Sequence, residues 1–568
     1  MCYSRWSRRE SPGCKVRNFC ALCYANRASL CKGRYSVGQP CVYMDILDYS
    51  VIAIYLITLL IIGFSLRGQQ SKKDYFLAGR SLNWKPLLLS VMATQLSAVS
   101  FISAPAFVGF REGGGLIWLS YELAVPLAML LLITTVLPTL YRSGVVSIYD
   151  YLERRFSTST RICISIVFQF SRAFATGIMV YALSIILQGT MQVSSTQAIL
   201  LIGVITVLYS LQGGMKAVVY GDAVQMVVIV MGTAICIAFG LSALGGWESF
   251  LQLLPSERVS TLNFSSLGFD GDGFGFFPMV LGGIILYASY YGCDQSEAQR
   301  ALSAKSESDL KKMMLANGIF RFPITLLYCL AGLVVGTLAF NDTNLLSQIP
   351  KDNPDWLMPV FILNYLPHGL IGLLVVAILA AAMSSLSSAI NSLAAVSLED
   401  YFKLTGKRTK PDGYLSSAKF AGLTWGVIIL LLSLNAGDIA PTVIEAVNKV
   451  GSVFFGPVLA VFLLGMLSKK ISATQVNIAL ACGVLTNLSF AFFIDEVFWF
   501  WWNVTGFIST VIPAIIFSLL SPSDESNVCS APHSSKGNFL IDKSIATVLI
   551  GYFGLLIFIC YMLPSWLL

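Results

Sequence analysis

The chain has 568 residues, is 56% hydrophobic and only 12% charged, and carries a formal net charge of +7 with a mean hydropathy of +0.74. No soluble globular class has that balance. Apolar runs of about 20 residues, enough to cross roughly 30 Å of hydrocarbon at 1.5 Å per residue, recur from one end to the other and predict an all-α polytopic membrane protein.

The first 43 residues stand apart. They hold Arg5, Arg8, Arg9, Lys15, Arg17, Arg27, Lys32 and Arg34, together with Cys2, Cys14, Cys20, Cys23, Cys31 and Cys41. They contain no clean signal-peptide core. Cys20-x-x-Cys23 has no second matched pair, so metal or redox chemistry is not expected of it. Residues 1–43 read as a mispredicted or disordered extension, with Met44 as the expected start. The other cysteines are scattered, give no disulfide framework and read as small apolar filler.

From Met44 onward, about fourteen candidate spans begin near Leu47, Trp84, Ile117, Ile162, Thr196, Tyr220, Pro278, Gly318, His368, Ala418, Thr442, Ser472, Phe498 and Ser544. Lys and Arg concentrate in alternate connections: Arg67, Lys72, Lys73, Arg80 and Lys85, then Arg142, Arg154, Arg155 and Arg161, later Lys403, Lys407, Arg408 and Lys410. The remaining connections hold only Arg111, Arg258 and Lys351. The positive-inside rule therefore places both ends of the span array outside. It also explains the net positive charge without a nucleic-acid partner.

Helix-disrupting residues mark two spans. The second reads SVMATQLSAVSFISAPAFVGFREGGG, with Pro105 and Gly109; the seventh reads PMVLGGIILYASYYGCDQ, with Gly282, Gly283 and Gly292. For a single helix, such glycines merely permit close packing. A matched pair five spans apart points instead to inverted repeats with a substrate site at the bilayer midplane. The expected divisions are an accessory helix and inner loop at 44–82, repeats at 83–243 and 278–470 joined by an outer loop at 244–277, and accessory helices at 471–568 with a polar linker near 521–543. FDGDGFG, in the outer loop, lacks the later ligands of a calcium loop and reads as a solvated turn. The two histidines, His368 and His533, have no evident partner in the sequence, which argues against an imidazole-based enzyme.

The ninth span contains AAAMSSLSSAINS, residues 380–392. At about 100° per residue, Ala381, Ser384, Ser385 and Ser388 share one narrow helix face, with Ser387 at its margin. A lone membrane serine bonds its own backbone and eases helix contact. Four hydroxyls in SSLSS are more than packing requires. Hydroxyls and carbonyls freed by a helix break suit sodium, and the break expected near Ala93 to Leu96 offers such carbonyls.

In chain order, YFLAGRSLNW, ATQLSAVSF, YLERRF, LQGGMKAVVYGDAVQ, DQSEAQRALSAKS and MSSLSSAINS resemble the solute:sodium symporter family, which includes sodium/glucose, sodium/proline, sodium/iodide and sialic acid transporters. The resemblance runs from about Met44 to Lys470 and implies a LeuT-like core of two inverted five-helix repeats with accessory helices. It implies a main sodium site made by the backbone of Ala93, Leu96 and Ala381 with the hydroxyls of Ser384 and Ser385. A second site would use Asp222 with Ser384, Ser387 and Ser388. Taken alone, Asp222 reads equally as a helix N-cap or dipole partner.

The resemblance also implies a solute pocket drawn from Gln95, Ser97, Ser100, Glu122, Arg172, Tyr290, Tyr291, Gln295, Arg321 and Asn448, with Tyr290 as inner aromatic gate. Ser100 stands where the sugar transporters carry a histidine. Ala175 stands where the sialic acid transporters carry an arginine, and Arg172 lies one turn earlier. Three readings of Arg172 stay open: it neutralises Glu122, it binds a solute carboxylate, or it snorkels to the inner face. Lys449 poses the same problem.

The expected function is import of a small organic solute (a sugar, an acidic sugar such as sialic acid, or a small organic acid) across the plasma membrane, with sodium as the coupling ion and no other cofactor. The alternatives are a vitamin, amino acid or inorganic anion as solute, a non-transporting sensor, or a membrane enzyme. Expected partners are the solute, sodium and the bilayer, with no nucleic acid. The oligomeric state stays open, a monomer included.

Overall fold

A computed structural model describes residues 44–65, 77–96, 98–191, 193–210, 215–271, 273–406, 411–521 and 542–568. The leader 1–43, most of the 521–543 linker, Ser97, His533 and the basic residues Arg67, Lys72, Lys73, Lys407, Arg408 and Lys410 lie outside the described residues.

The described chain is helical, with an isolated bridge between Leu82 and Ala304. The elements that matter for function are α1 (Ile46–Ser65), α2 (Trp84–Gln95), α3 (Ala98–Gly109), α4 (Leu116–Arg142), α5 (Ile148–Arg155), α6 (Thr158–Met191), α7 (Ser195–Ser210), α8 (Met215–Leu244), α9 (Pro278–Cys293) and α10 (Gln295–Leu302). They are followed by α11 (Glu307–Asn341), α12 (Leu357–Tyr365), α13 (Leu370–Thr405), α14 (Pro411–Ser433), α15 (Val443–Leu467), α16 (Ala473–Phe493), α17 (Trp501–Leu520) and α18 (Lys543–Leu567). Among the described residues, eight helices are long and apolar enough to cross a membrane, nine when the bent pair α2–α3 counts as one span. Fourteen spans therefore remains an expectation.

The second span is broken, but not where its proline lies. α2 ends at Leu96 (φ −87°, ψ 57°) and the chain turns by 53° into α3. Pro105 lies inside α3, and Gly109 ends it. Both residues serve close packing against α11. A Cβ on Gly332 would come within 2.7 Å of the Pro105 carbonyl oxygen, and one on Gly109 within 2.1 Å of the Gly332 oxygen. Gly332 and Gly336, four apart on α11, are the small-residue seam that lets the two backbones touch.

The seventh span also differs from its expectation. α9 passes through Gly282, Gly283 and Gly292 as continuous helix, with a π turn over Pro278–Gly282, and breaks only at Asp294. Its glycines admit neighbours: a Cβ would meet Phe500 at Gly282, Ala124 at Gly283 and Leu132 at Gly292.

Charged residues tie the helix ends together. Arg161 at the start of α6 is fully buried, with Asp150 of α5 and Glu399 and Asp400 of α13 around it. Arg111 beyond α3 grips Glu445 of α15 at 2.9 and 3.3 Å. Ser103 of α3 accepts the amide of Ile444 at 2.9 Å. His368, for which the sequence offered no partner, sits 2.8 Å from Asp48, and the same carboxylate accepts the amides of Gly369 and Gly372 at the start of α13. In the outer loop Phe269 and Asp270 are exposed, and Phe269 stacks on Trp501, whose indole donates to the Leu267 carbonyl at 2.7 Å; Asp272 lies outside the described residues.

Candidate functional site

The α2–α3 break and the end of α9 face one cavity. Its empty space is about 1020 Å³, counting the part open to solvent, and it is walled by residues of α2, α3, α4, α6, α9, α11 and α15. Gln95, Ser100, Glu122, Arg172, Tyr290, Arg321 and Asn448 all line it, so seven of the ten solute residues expected from the sequence are brought together. Of the other three, Ser97 lies outside the described residues, and Tyr291 stands behind the wall, its hydroxyl accepting from Arg321 at 3.2 Å. Gln295 is the misplaced one. Its side-chain oxygen accepts the amide of Ile148 at 2.9 Å and its nitrogen donates to Val146, so it fastens the start of α5 and is absent from the cavity wall.

Charge inside the cavity is unevenly satisfied. Glu122 and Arg321 form a bidentate pair at 2.8 and 3.1 Å, and Tyr287 donates to Glu122 at 2.9 Å. That is the planar fork geometry in which a buried arginine and carboxylate satisfy each other. Arg172 therefore does not neutralise Glu122. Nor does it snorkel, being 6% exposed. Its nearest acid is Asp294, at 3.6 Å, and its Nε has no hydrogen-bond partner among the described residues. Gln95 Oε1, Thr325 Oγ1 and the Tyr328 hydroxyl line the same cavity and are likewise without a partner among the described residues. Leu286, Ile444, Val447 and Phe455 supply apolar wall. Tyr290 makes an edge contact with Phe455 across α9 and α15, and Tyr121 donates to Asn448 at 3.3 Å. Lys449 points away, its ammonium 6.0 Å from the Trp502 ring centre in a cation–π contact.

The residues of the expected main sodium site flank the break. Ala93 lies in the last turn of α2 and Leu96 terminates it. α13 packs against both α2 and α3, and its Ser385 is 3% exposed. The side chains of Ala381 and Ser384 lie outside what the structure describes. Ser100 donates to the Gln95 carbonyl at 3.3 Å, holding one freed acceptor at the turn.

Asp222 is no N-cap, since it lies well inside α8. It accepts from Ser90 at 2.5 Å and from Arg300 Nη2 at 3.1 Å. Arg300 also donates to the Ser90 hydroxyl at 2.9 Å, to the Ser296 carbonyl at 2.7 Å and to Ser388 of the SSLSS face at 3.5 Å. Asp222 and Ser388 thus share a neighbourhood, with a buried arginine between them. Sequence reasoning missed Arg300, although DQSEAQRALSAKS displays it with Glu297 three residues earlier, 3.9 Å away; its closer acid, Asp222 at 3.1 Å, lies 78 positions distant. It missed Asp294 as well, the residue that breaks α9, caps α10 and faces Arg172.

The model of the sodium:solute symporter family matches residues 75–483. The human sodium/iodide cotransporter is 30% identical over 449 residues, covering 78% of this chain and 69% of the relative. Sodium-coupled monocarboxylate transporter 1 of Xenopus laevis is 29% identical over 452 residues, covering 78% and 71%. A solved structure of a Na+-coupled sialic acid symporter, substrate-bound and outward-open, superposes with a TM-score of 0.75 at 22% identity, covering 85% of this chain and 99% of that one. That likeness shows the LeuT-like helical fold.

Proposed function

Because the chain belongs to the sodium:solute symporter family, a family of transporters and not enzymes, we propose that it carries a small organic acid across the plasma membrane together with sodium, by alternating access between its two inverted repeats at 83–243 and 278–470. Sodium takes the backbone of Ala93, Leu96 and Ala381 with the hydroxyls of Ser384 and Ser385. A second ion takes Asp222 with Ser384, Ser387 and Ser388.

The observation that carries the reading is the shared cavity. Leu96, where the first sodium is assigned, and Arg172 line the same space, so ion and solute act on the same broken helix. A solute that completes the pocket holds the break in its ion-binding form, and the ion in turn orders the pocket. Charge selects the solute class. The Glu122–Arg321 pair satisfies itself, whereas Arg172, 3.6 Å from Asp294, keeps a buried Nε without a hydrogen-bond partner among the described residues and can offer it to a carboxylate. Relatives named for iodide and for monocarboxylates handle anions as well. A sugar finds less support, since Ser100 replaces the histidine of the sugar carriers.

An anionic solute also gives the second ion a purpose. A tenfold sodium gradient supplies about 1.4 kcal/mol per ion, and 100 mV adds roughly 2.3 kcal/mol per net charge moved. A monoanion moving with one sodium carries no net charge, so only about tenfold accumulation follows. With two ions the total is about 5 kcal/mol, or several thousandfold. The test is uptake by proteoliposomes over a panel of monocarboxylates, sialic acid, glucose and inositol. Accumulation of an acid by the native protein, and its loss in Arg172→Gln, supports the reading. Equal uptake of neutral sugars by both proteins contradicts it.

A further inference from the structure

Glu297 has no role in the transport cycle described so far, yet it occupies its most constrained point. It is 0% exposed, on α10 between the solute cavity and the Asp222 site. One carboxylate oxygen accepts the Tyr290 hydroxyl at 3.4 Å and lies 3.9 Å from Arg300 Nη1. The other has no hydrogen-bond partner among the described residues. A fully buried carboxylate with half its acceptors idle is costly, so such an acid persists where another arrangement of its neighbours completes it.

The neighbour able to do so is Arg300. Its guanidinium stands between two acids, at 3.1 Å from Asp222 and 3.9 Å from Glu297. A cation arriving at Asp222 competes with Arg300, which donates to its Oδ2, because two positive charges would then share one buried carboxylate. A short swing of the guanidinium frees Asp222 and fills the idle side of Glu297, with charge pairing conserved throughout. We propose that Glu297 is the positioning residue that takes Arg300 away from Asp222 when the second sodium ion arrives. The proposal rests on Asp222 holding that ion.

The same residue links the ion to the solute. Tyr290, which lines the cavity, donates to Glu297. Asp294, on the cavity wall beside Arg172, caps α10 by accepting the Ser296 amide at 2.7 Å and so sets the position of the helix bearing both Glu297 and Arg300. A solute that shifts Tyr290 or Asp294 thereby changes how well Glu297 receives Arg300, a coupling that needs only this two-position side chain.

The test is equilibrium binding of radioactive sodium to the purified full-length protein, titrated against choline, with a melting curve for each variant. The native protein is expected to bind two ions in separable steps. Glu297→Gln is expected to bind one, since Arg300 then stays on Asp222. Glu297→Asp keeps the charge and is expected to retain the second step at weaker affinity. Asp222→Asn also binds one, and adding Glu297→Gln to it changes nothing further. Two ions bound by Glu297→Gln with native affinity overturns the proposal while leaving the second site standing. A single ion bound by the native protein removes that site and this proposal with it. Should Glu297→Gln fail to fold, the aspartate variant decides alone: an unweakened second step refutes the role.

Discussion

Replacing Arg321 by glutamine tests whether the cavity depends on the closed Glu122 pair. Both side chains are nearly buried, 5% and 2% exposed, and their contact is bidentate. Charge centres roughly 4 Å apart attract by about 4 kcal/mol at an effective dielectric near 20. Removing one partner leaves Glu122 buried with the Tyr287 hydroxyl as a remaining donor, and stranded charges of this kind cost about 3–5 kcal/mol. Arg321→Gln is therefore expected to lower the melting temperature of the detergent-solubilised protein by several degrees. Adding Glu122→Gln removes the stranded charge and is expected to recover most of the loss, a double-mutant coupling of about 3 kcal/mol. Melting of Arg321→Gln at the native temperature, or a double variant as unstable as the sum of the singles, refutes the self-satisfied pair and reopens Glu122 as a solute ligand.

Ser385→Ala is expected to raise the sodium concentration for half-maximal uptake by about tenfold, from the loss of one buried oxygen ligand, while maximal uptake changes less; an unchanged sodium titration removes Ser385 from the site. Gly336→Val drives a side chain toward the Gly109 backbone, whose oxygen a Cβ would approach to 2.4 Å. It is expected to cost about 1–3 kcal/mol or more, read as a lower melting temperature and poorer insertion, and native behaviour would refute the α3–α11 seam. Asp355, in the connection before α12, has its carboxyl pushed up to about 7, by burial first and with nearby Glu445 adding to it. The native state then holds a proton that the unfolded chain releases near the ordinary value of 3.8. Its contribution to stability is full below that value and is lost as pH rises through about 7. Asp355→Asn is expected to flatten this part of the melting-temperature profile, and an unaltered slope would assign it to other groups.

The helices were legible because hydrocarbon thickness fixes their length, and the serine face was legible because five serines in thirteen residues exceed what packing uses. The breaks were only half legible. Glycine and proline drew attention to Pro105, Gly109 and Gly282, which turned out to be points of close helix contact. The interruption at Leu96 falls within the break expected near Ala93 to Leu96, whereas the one at Asp294 went unread although aspartate favours N-caps and its side chain caps the following helix. Charge partners were the least legible. Glu122 meets Arg321 across 199 positions, Ser90 meets Asp222 across 132, and His368 meets Asp48 across 320, distances over which sequence spacing carries no register. Each buried charge signalled that a partner exists, and only the fold names it.

The most direct test of the central claim is solute uptake into proteoliposomes holding the purified protein, measured under an inward sodium gradient and again with potassium in place of sodium. The account predicts concentrative uptake of an organic acid with sodium, collapse to equilibration when the gradient is dissipated, and net positive charge entering with each solute. Equal uptake under the two cations, or sodium-dependent currents without accumulation of any tested solute, would contradict it.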